Sequence, residues 1–352
     1  ADGPGADLFM GGQKRYPSNQ EQNSPGAKRI DMSILVTGSV AIDHIMTFDD
    51  QFKNHILPDQ LEGLNVAFLV PEMDKSWGGT GANIAYNLRV LEQDPILLAA
   101  VGHDLGEYAD WLDEKGIRRD WLLTLQDTFT AQAFLTTDSD HNQLIMFHPG
   151  AMDRAHEARL ESVEEELSVG IVSPNGKQAM LDLASGLKAR GTPCVIDPGQ
   201  GLPMFDGEEL LGMVEGAAVF IVNAYEWALA QEKTGLSEEA MAERVGALVI
   251  TEGAEGSRLI RGAQSAGVLV EDARTDVPVV APEAVVDPTG CGDAYRSGLL
   301  FAMAHGLPLE TGVRLGSLMG SLKVAHRGPQ SINATHTDVR AQFEKEFGYA
   351  LG

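Results

Sequence analysis

A doubly wound α/β fold, with a mostly parallel sheet, helices on both faces and a small antiparallel β lid, is what three features of this sequence predict. Short apolar runs recur without the polar alternation of a half-exposed strand, as strands buried on both faces require. Stretches of helical character separate most of them, the pattern of repeated strand–helix–strand units. Two further segments break that alternation and read as strands of a second, smaller sheet.

Taken in chain order, residues 1–31 are rich in Gly, Pro, Ser, Asn and Gln and have no apolar period, which predicts a disordered tail or cloning remnant. One large domain is expected over 32–340 and a C-terminal tail over 341–352. Its first strand, Ser33–Thr37, ends in Gly38-Ser39. An inserted segment at about 42–75 supplies lid strands, with the apolar run 64–70 as the clearest of them. A helix over 83–91 leads to a strand at 96–101 that ends at Gly102-His103. The second lid insertion, about 128–148, is a hairpin: 132–137 and 143–147 flank the turn Asp138-Ser139-Asp140-His141-Asn142. Strands at 170–173, 194–197, 219–223 and 248–251 follow, with helices at 178–190 and 224–233 between them. Beyond residue 298 the chain reads as mostly helical, including 315–325. The strands end in Ser39, His103, Ser173, Asp197, Asn223 and Thr251. Ligands of an open parallel sheet gather at that edge, so these residues are expected to converge.

Composition excludes several classes. The net charge is −25, with 51 acidic against 26 basic residues, so the clustered cations that nucleic acid requires are missing. No apolar run approaches the about 18 residues of a membrane span. The two cysteines, Cys194 and Cys291, provide neither a disulfide framework nor a metal-ligand spacing, and a soluble protein of a reducing cytoplasm is expected. An anionic protein of this kind binds phosphate through local devices: helix N-termini, N–H nests and a divalent cation.

Such a device is visible at Val285-Val286-Asp287-Pro288-Thr289-Gly290-Cys291-Gly292-Asp293-Ala294-Tyr295. It reads as a short apolar strand, a glycine turn and a helix with Asp293 in its first turn. The glycines admit a ligand close to the backbone, the N–H groups at the helix start attract phosphate, and Asp293 stands ready to take a proton. An ordinary carboxylate of pKa about 4 is a weak base for an alcohol, but a loose phosphoryl-transfer transition state releases its proton late. The same residues also suit a plain helix cap after a tight turn.

The segment resembles the DTxGAGDxF signature of the ribokinase-like (PfkB) family of sugar and nucleoside kinases. Trp77-Gly78-Gly79-Thr80-Gly81-Ala82-Asn83 is similar to that family's GGxxxNxA substrate motif, Asn223-Ala224-Tyr225-Glu226 to its NxxE motif, and Thr251-Glu252-Gly253-Ala254-Glu255-Gly256 to its TxGxxG segment. Four motifs stand in family order. The resemblance implies that Asp293 is the base and that Gly290, Cys291 and Gly292 form the anion hole. It places Ser39, Asp43, Gly78, Gly79, Thr80 and Asn83 around the acceptor, with Asp43 on two vicinal hydroxyls. Asn223, Thr251, Gly253 and Gly256 would hold ATP, Glu226 would meet Mg²⁺ through water, and Asp287 would lie near a monovalent cation, K⁺ dependence varying within the family. Two departures stand out: Pro288 lacks an N–H, and Cys291, which replaces Ala, is expected to be acidified by its helix.

Several runs, among them Phe147-His148-Pro149-Gly150-Ala151-Met152 and Arg327-Gly328-Pro329-Gln330, look like the bacterial adenosine kinase-like branch. The implied reaction is transfer of the ATP γ-phosphate to the 5′-hydroxyl of adenosine, giving AMP and ADP. A ribokinase-like or fructokinase-like sugar kinase is the alternative, and a non-catalytic binding protein on the same fold is a third. Gly79-Thr80-Gly81 and Gly290-Cys291-Gly292 both lack the third glycine of a dinucleotide fingerprint, and no GxxxxGK[ST] occurs. Monomer and homodimer are both open.

Overall fold

The computed structural model describes residues 33–56, 65–264 and 267–352, so the tail expected over 1–31 lies outside the described residues. Among the described residues the main sheet has nine strands. Seven are parallel: β1 (Ser33–Thr37), β4 (Ile96–Gly102), β5 (Leu122–Leu125), β8 (Leu167–Val172), β9 (Cys194–Ile196), β10 (Val219–Asn223) and β11 (Ala247–Thr251). Two antiparallel strands, β12 (Ser257–Arg261) and β13 (Arg274–Val277), complete one edge, giving the order β13-β12-β11-β10-β9-β8-β1-β4-β5. The small sheet, in order β3-β2-β6-β7, joins β2 (Ala41–Thr47), β3 (Glu72–Gly78), β6 (Ala131–Thr137) and β7 (Gln143–His148). Pairing is antiparallel within each insertion and parallel where β2 meets β6.

The continuous apolar character of the central strands has a direct cause, since alternate residues enter different cores. Ile34, Val36, Ile221 and Val249 pack with α1 (Thr80–Val90), α2 (Gly106–Glu114), α7 (Cys291–Ala304), α8 (Leu309–Val324) and α9 (His336–Phe347). Leu35, Phe220, Val222 and Leu248 pack with α3 (Lys177–Ala189), α4 (Gly207–Val214), α5 (Ala224–Thr234) and α6 (Glu238–Ala242). Each strand is thus covered on both sides, as a doubly wound sheet demands.

Three expectations are corrected. The lid strands of the first insertion are Ala41–Thr47 and Glu72–Gly78, while 65–70 of the expected run carries no regular structure and residue 64 lies outside the described residues. Most of β3 is exposed, so its pairing with β2 stabilises it without an apolar stripe for the sequence to display. The tail expected from 341 carries most of α9, which begins with a Thr335–Asp338 capping box and buries Phe343, while Leu351 beyond it is also buried. Val285 and Val286, expected as a strand, are exposed loop whose 286 and 287 N–H groups bond the Val324 carbonyl.

Helices α7 and α8 approach so closely that glycine is obligatory. A Cβ on Gly298 would lie 2.4 Å from the Gly316 nitrogen, and one on Gly316 would lie 2.7 Å from the Tyr295 carbonyl oxygen. Gly298→Val is therefore expected to push the helices apart and cost about 2–4 kcal/mol, read as a lower urea midpoint at unchanged m-value.

Candidate active site

The glycine turn ahead of α7 is built around Gly290, which takes φ +78° as the helix N-cap and packs so tightly that a Cβ would meet Pro329 at 2.6 Å. No β-carbon fits in that backbone conformation. The Cys291 N–H is already used, donating to the Pro288 carbonyl at 3.2 Å. The N–H groups of Gly290, Gly292 and Asp293 have no acceptor among the described residues. Of the trio expected to form an anion hole, Gly290 and Gly292 keep unbonded N–H groups and Cys291 does not, while Asp293 adds a third.

Asp293 sits in the first helical turn, its Oδ2 accepting a hydrogen bond from Asn83 Nδ2 at 2.8 Å. Burial raises its carboxyl to a pKa of about 6, against the opposing pull of Arg296 and of the Asn83 bond. The structure thus supplies the basicity that an ordinary aspartate lacks. Asn83, 5% exposed, also accepts at its Oδ1 from Gln330 Nε2 at 3.1 Å. Gln330 in turn accepts from Trp111 Nε1 at 2.8 Å and donates to the Tyr108 hydroxyl at 2.7 Å, and that hydroxyl donates to the Gly78 carbonyl at 2.7 Å. Asn83, expected on the acceptor, is in direct contact with the Asp293 carboxylate.

Ser39 and Thr80 are likewise engaged within the protein. The Thr80 N–H donates to Ser39 Oγ at 3.0 Å, and the Thr80 hydroxyl donates to the Pro174 carbonyl at 3.1 Å, clasping the end of β1 to the start of α1. The two glycines before Thr80 have distinct tasks. Gly79, at φ +92°, leaves room for the Ser39 carbonyl, which a Cβ would meet at 2.5 Å. Gly78 leaves room for the Asp43 carboxylate, which a Cβ would meet at the same distance. Asp43 itself, on β2, is half-buried, has no donor among the described residues, and is raised to about 6 by burial. A carboxylate left without partners in a partly dry position is equipped to receive two hydroxyl donors from a ligand.

Asp197 and Arg296 complete the floor. Arg296, one turn after Asp293, donates through Nε and Nη2 to both carboxylate oxygens of Asp197 at the end of β9, and through Nη1 to the Gly292 carbonyl at 2.9 Å. Both side chains are buried. The pair ties the first turn of α7 to the sheet, and removing one partner would strand the other charge. Sequence reasoning placed Asp197 at the ligand edge but missed Arg296, Gln330's role and Tyr108; the only available signal for Arg296 was its spacing of three from Asp293.

On the far side of the turn lies a cavity of about 380 Å³ lined by Thr251, Gly253, Gly256, Cys291 and Gly292, with apolar walls that include Val280 and Tyr295. Three of the four residues expected at ATP thus share one cavity with Cys291 and Gly292 of the glycine turn. The fourth, Asn223, pairs in register with Thr251 and forms a capping box with Glu226 on α5, each side chain accepting from the other's N–H at 2.8 Å. Burial raises the Cys291 thiol, so the expected acidification does not occur.

Among the described residues no group of three or more His, Cys, Asp and Glu side chains is arranged to hold a metal. Glu226 keeps Oε1 free of hydrogen bonds among the described residues, which leaves it able to meet an ion through water. Asp287 does not fit an added monovalent cation. Its carboxylate accepts from the Thr289 and Gly328 N–H groups at 2.9 and 2.8 Å, and its carbonyl accepts from the Lys323 ammonium at 2.7 Å.

A model of the pfkB family of carbohydrate kinases matches residues 33–336. A nucleoside kinase of Methanocaldococcus jannaschii is 29% identical over 315 residues, 89% of this chain and 97% of that protein. The structure of Burkholderia thailandensis nucleoside kinase in complex with inosine is 42% identical, with a TM-score of 0.79 over 90% of this chain and 99% of that one. A ribokinase from Thermotoga maritima, 22% identical, shares the fold with a TM-score of 0.72 over 89% of this chain and 99% of that one. The matched span contains the whole main sheet, the unbonded amides of the glycine turn, Asp293 and Asp43, and the chain belongs to the pfkB carbohydrate kinase family, phosphotransferases that act on a hydroxyl group.

Proposed function

We propose that the protein is an ATP-dependent nucleoside kinase that phosphorylates the 5′-hydroxyl of purine nucleosides, adenosine among them, giving the nucleoside monophosphate and ADP. The observation that carries this reading is a buried carboxylate of raised pKa in the first turn of a helix whose unbonded N–H groups adjoin a cavity of about 380 Å³, together with the unpartnered Asp43. Relatives named as nucleoside kinases support the nucleoside over a free sugar, the solved one at 42% identity holding inosine.

In the reaction, the acceptor hydroxyl delivers its proton to Asp293 as its oxygen bonds to the γ-phosphorus, and the bond to the ADP oxygen breaks. The N–H groups of Gly290, Gly292 and Asp293 stabilise the charge on the equatorial oxygens. Asp43 holds the 2′- and 3′-hydroxyls, and the lid sheet that carries it excludes water from the transfer. Mg²⁺, when bound with ATP, would neutralise phosphate charge, with Glu226 and Asn223 the residues positioned to meet it through water. A sugar kinase is the rival reading.

Assays with Mg²⁺ and ATP against adenosine, inosine, ribose and fructose decide the acceptor: purine nucleosides are expected to exceed the free sugars in kcat/KM by about 10²-fold or more, and faster turnover of a sugar would overturn the reading. Asp293→Asn is expected to lower kcat about 10²–10⁴-fold with little change in KM. Because the acting form is the carboxylate, wild-type kcat should rise with pH through about 6 and then level, a limb the variant lacks. The folded pKa lies above the unfolded one, so ionised Asp293 destabilises the fold as pH rises through that window. Asp293→Asn should therefore melt higher than wild type at pH 8, with a smaller gap at pH 5.

A further inference from the structure

Lys323, in the last turn of α8, is buried with a relative exposure of 0%. Its ammonium donates to the Asp287 carbonyl at 2.7 Å and the His326 carbonyl at 3.0 Å, and lies 3.8 Å from Asp287 Oδ2. These oxygens belong to two different loops: 285–290, which leads into the anion hole, and 325–330, which returns from α8 toward Gln330. The Asp287 carboxylate closes the same junction from the other side by accepting the Thr289 and Gly328 N–H groups. Burial would raise that carboxyl, yet the Thr289 and Gly328 N–H groups outweigh it and keep the carboxyl below its ordinary value.

Two carbonyl dipoles and a carboxylate converging on one buried point form a nest for a single positive charge. Here the charge arrives on a side chain. A dissolved cation entering the junction would compete for carbonyls already bonded and would face a like charge at close range. We infer that the Lys323 ammonium does the work of a bound monovalent cation, locking the loop of the anion hole to the loop that carries Gln330, and that the enzyme consequently needs no K⁺ for activity. The activity arm of the test rests on the kinase reading, while the melting arm does not.

Dialysed protein is assayed and melted in tetramethylammonium chloride, which is too large for the junction, and compared with KCl, NaCl and NH₄Cl at matched ionic strength. The expected result is a rate within about twofold and an equal melting temperature in all four salts, since a cation with no site adds no binding free energy to the folded state. K⁺-specific activation of about fivefold or more, or a K⁺-specific rise in melting temperature, would overturn the inference. Lys323→Ala leaves Asp287 without its counter-charge and opens space in the junction. Its rate in tetramethylammonium is expected to fall about tenfold or more, with partial recovery in K⁺, NH₄⁺ or methylammonium and a melting temperature that these ions raise. Full activity of Lys323→Ala in tetramethylammonium, or a loss in the folded variant that none of the three ions relieves, would also overturn it. If that variant does not fold, the four-salt comparison on the wild type still decides.

Discussion

A single hydrogen bond, from Asn83 to Asp293, spans 210 positions of sequence and joins the start of α1 to the start of α7. On the proposed reading, the geometry of phosphoryl transfer is set by where that bond places the carboxylate. Behind it stands a relay of fully engaged groups, Gln330, Tyr108 and Trp111, which fixes the amide of Asn83 in one orientation. Below it, the Asp197–Arg296 pair fixes the carbonyl of Gly292 and so the first turn of the helix. These partners hold the Asp293 carboxylate to one geometry, the preorganisation that its proposed role as base depends on.

The protein carries a strong negative charge and yet belongs to a family that handles phosphate. The structure resolves this tension locally. The unbonded amides proposed to hold phosphate are neutral groups at a helix start, where the backbone dipole supplies the positive potential. The two buried cations nearby, Arg296 and Lys323, are bound to carboxylates and carbonyls and act on the loops around the ligand. Electrostatic attraction is thus confined to a few ångströms around the turn, while the surface remains acidic and repels polyanions.

The parts of the fold legible in the sequence were those written in burial. β1, β10 and the helices around them were visible because strands covered on both faces must be apolar throughout. β3 was hidden because it is mostly exposed, and β12 because a strand one place from the sheet edge with arginines at Arg258 and Arg261 reads as surface. At the site, the glycines and Asp293 stood out because close approach and charge at a helix start constrain residue type. The partners of those residues did not. A capping box and a metal motif look alike in Asn223-Ala224-Tyr225-Glu226, and nothing in the letters shows that Asn83 faces Asp293 rather than a ligand. Lys323 was silent as well, since a lysine near a helix C-terminus is ordinarily a solvated residue.

The distance along the chain between Asn83 and Asp293 also has a temporal meaning. During synthesis the first half of the sheet and the lid emerge well before the glycine turn, and Gln330 emerges later still. Contacts of such long sequence separation form late in assembly. On the proposed reading, a growing polypeptide therefore carries the segments that would embrace the acceptor long before it possesses the group that would activate it, and phosphoryl transfer would begin only once the last helices have docked.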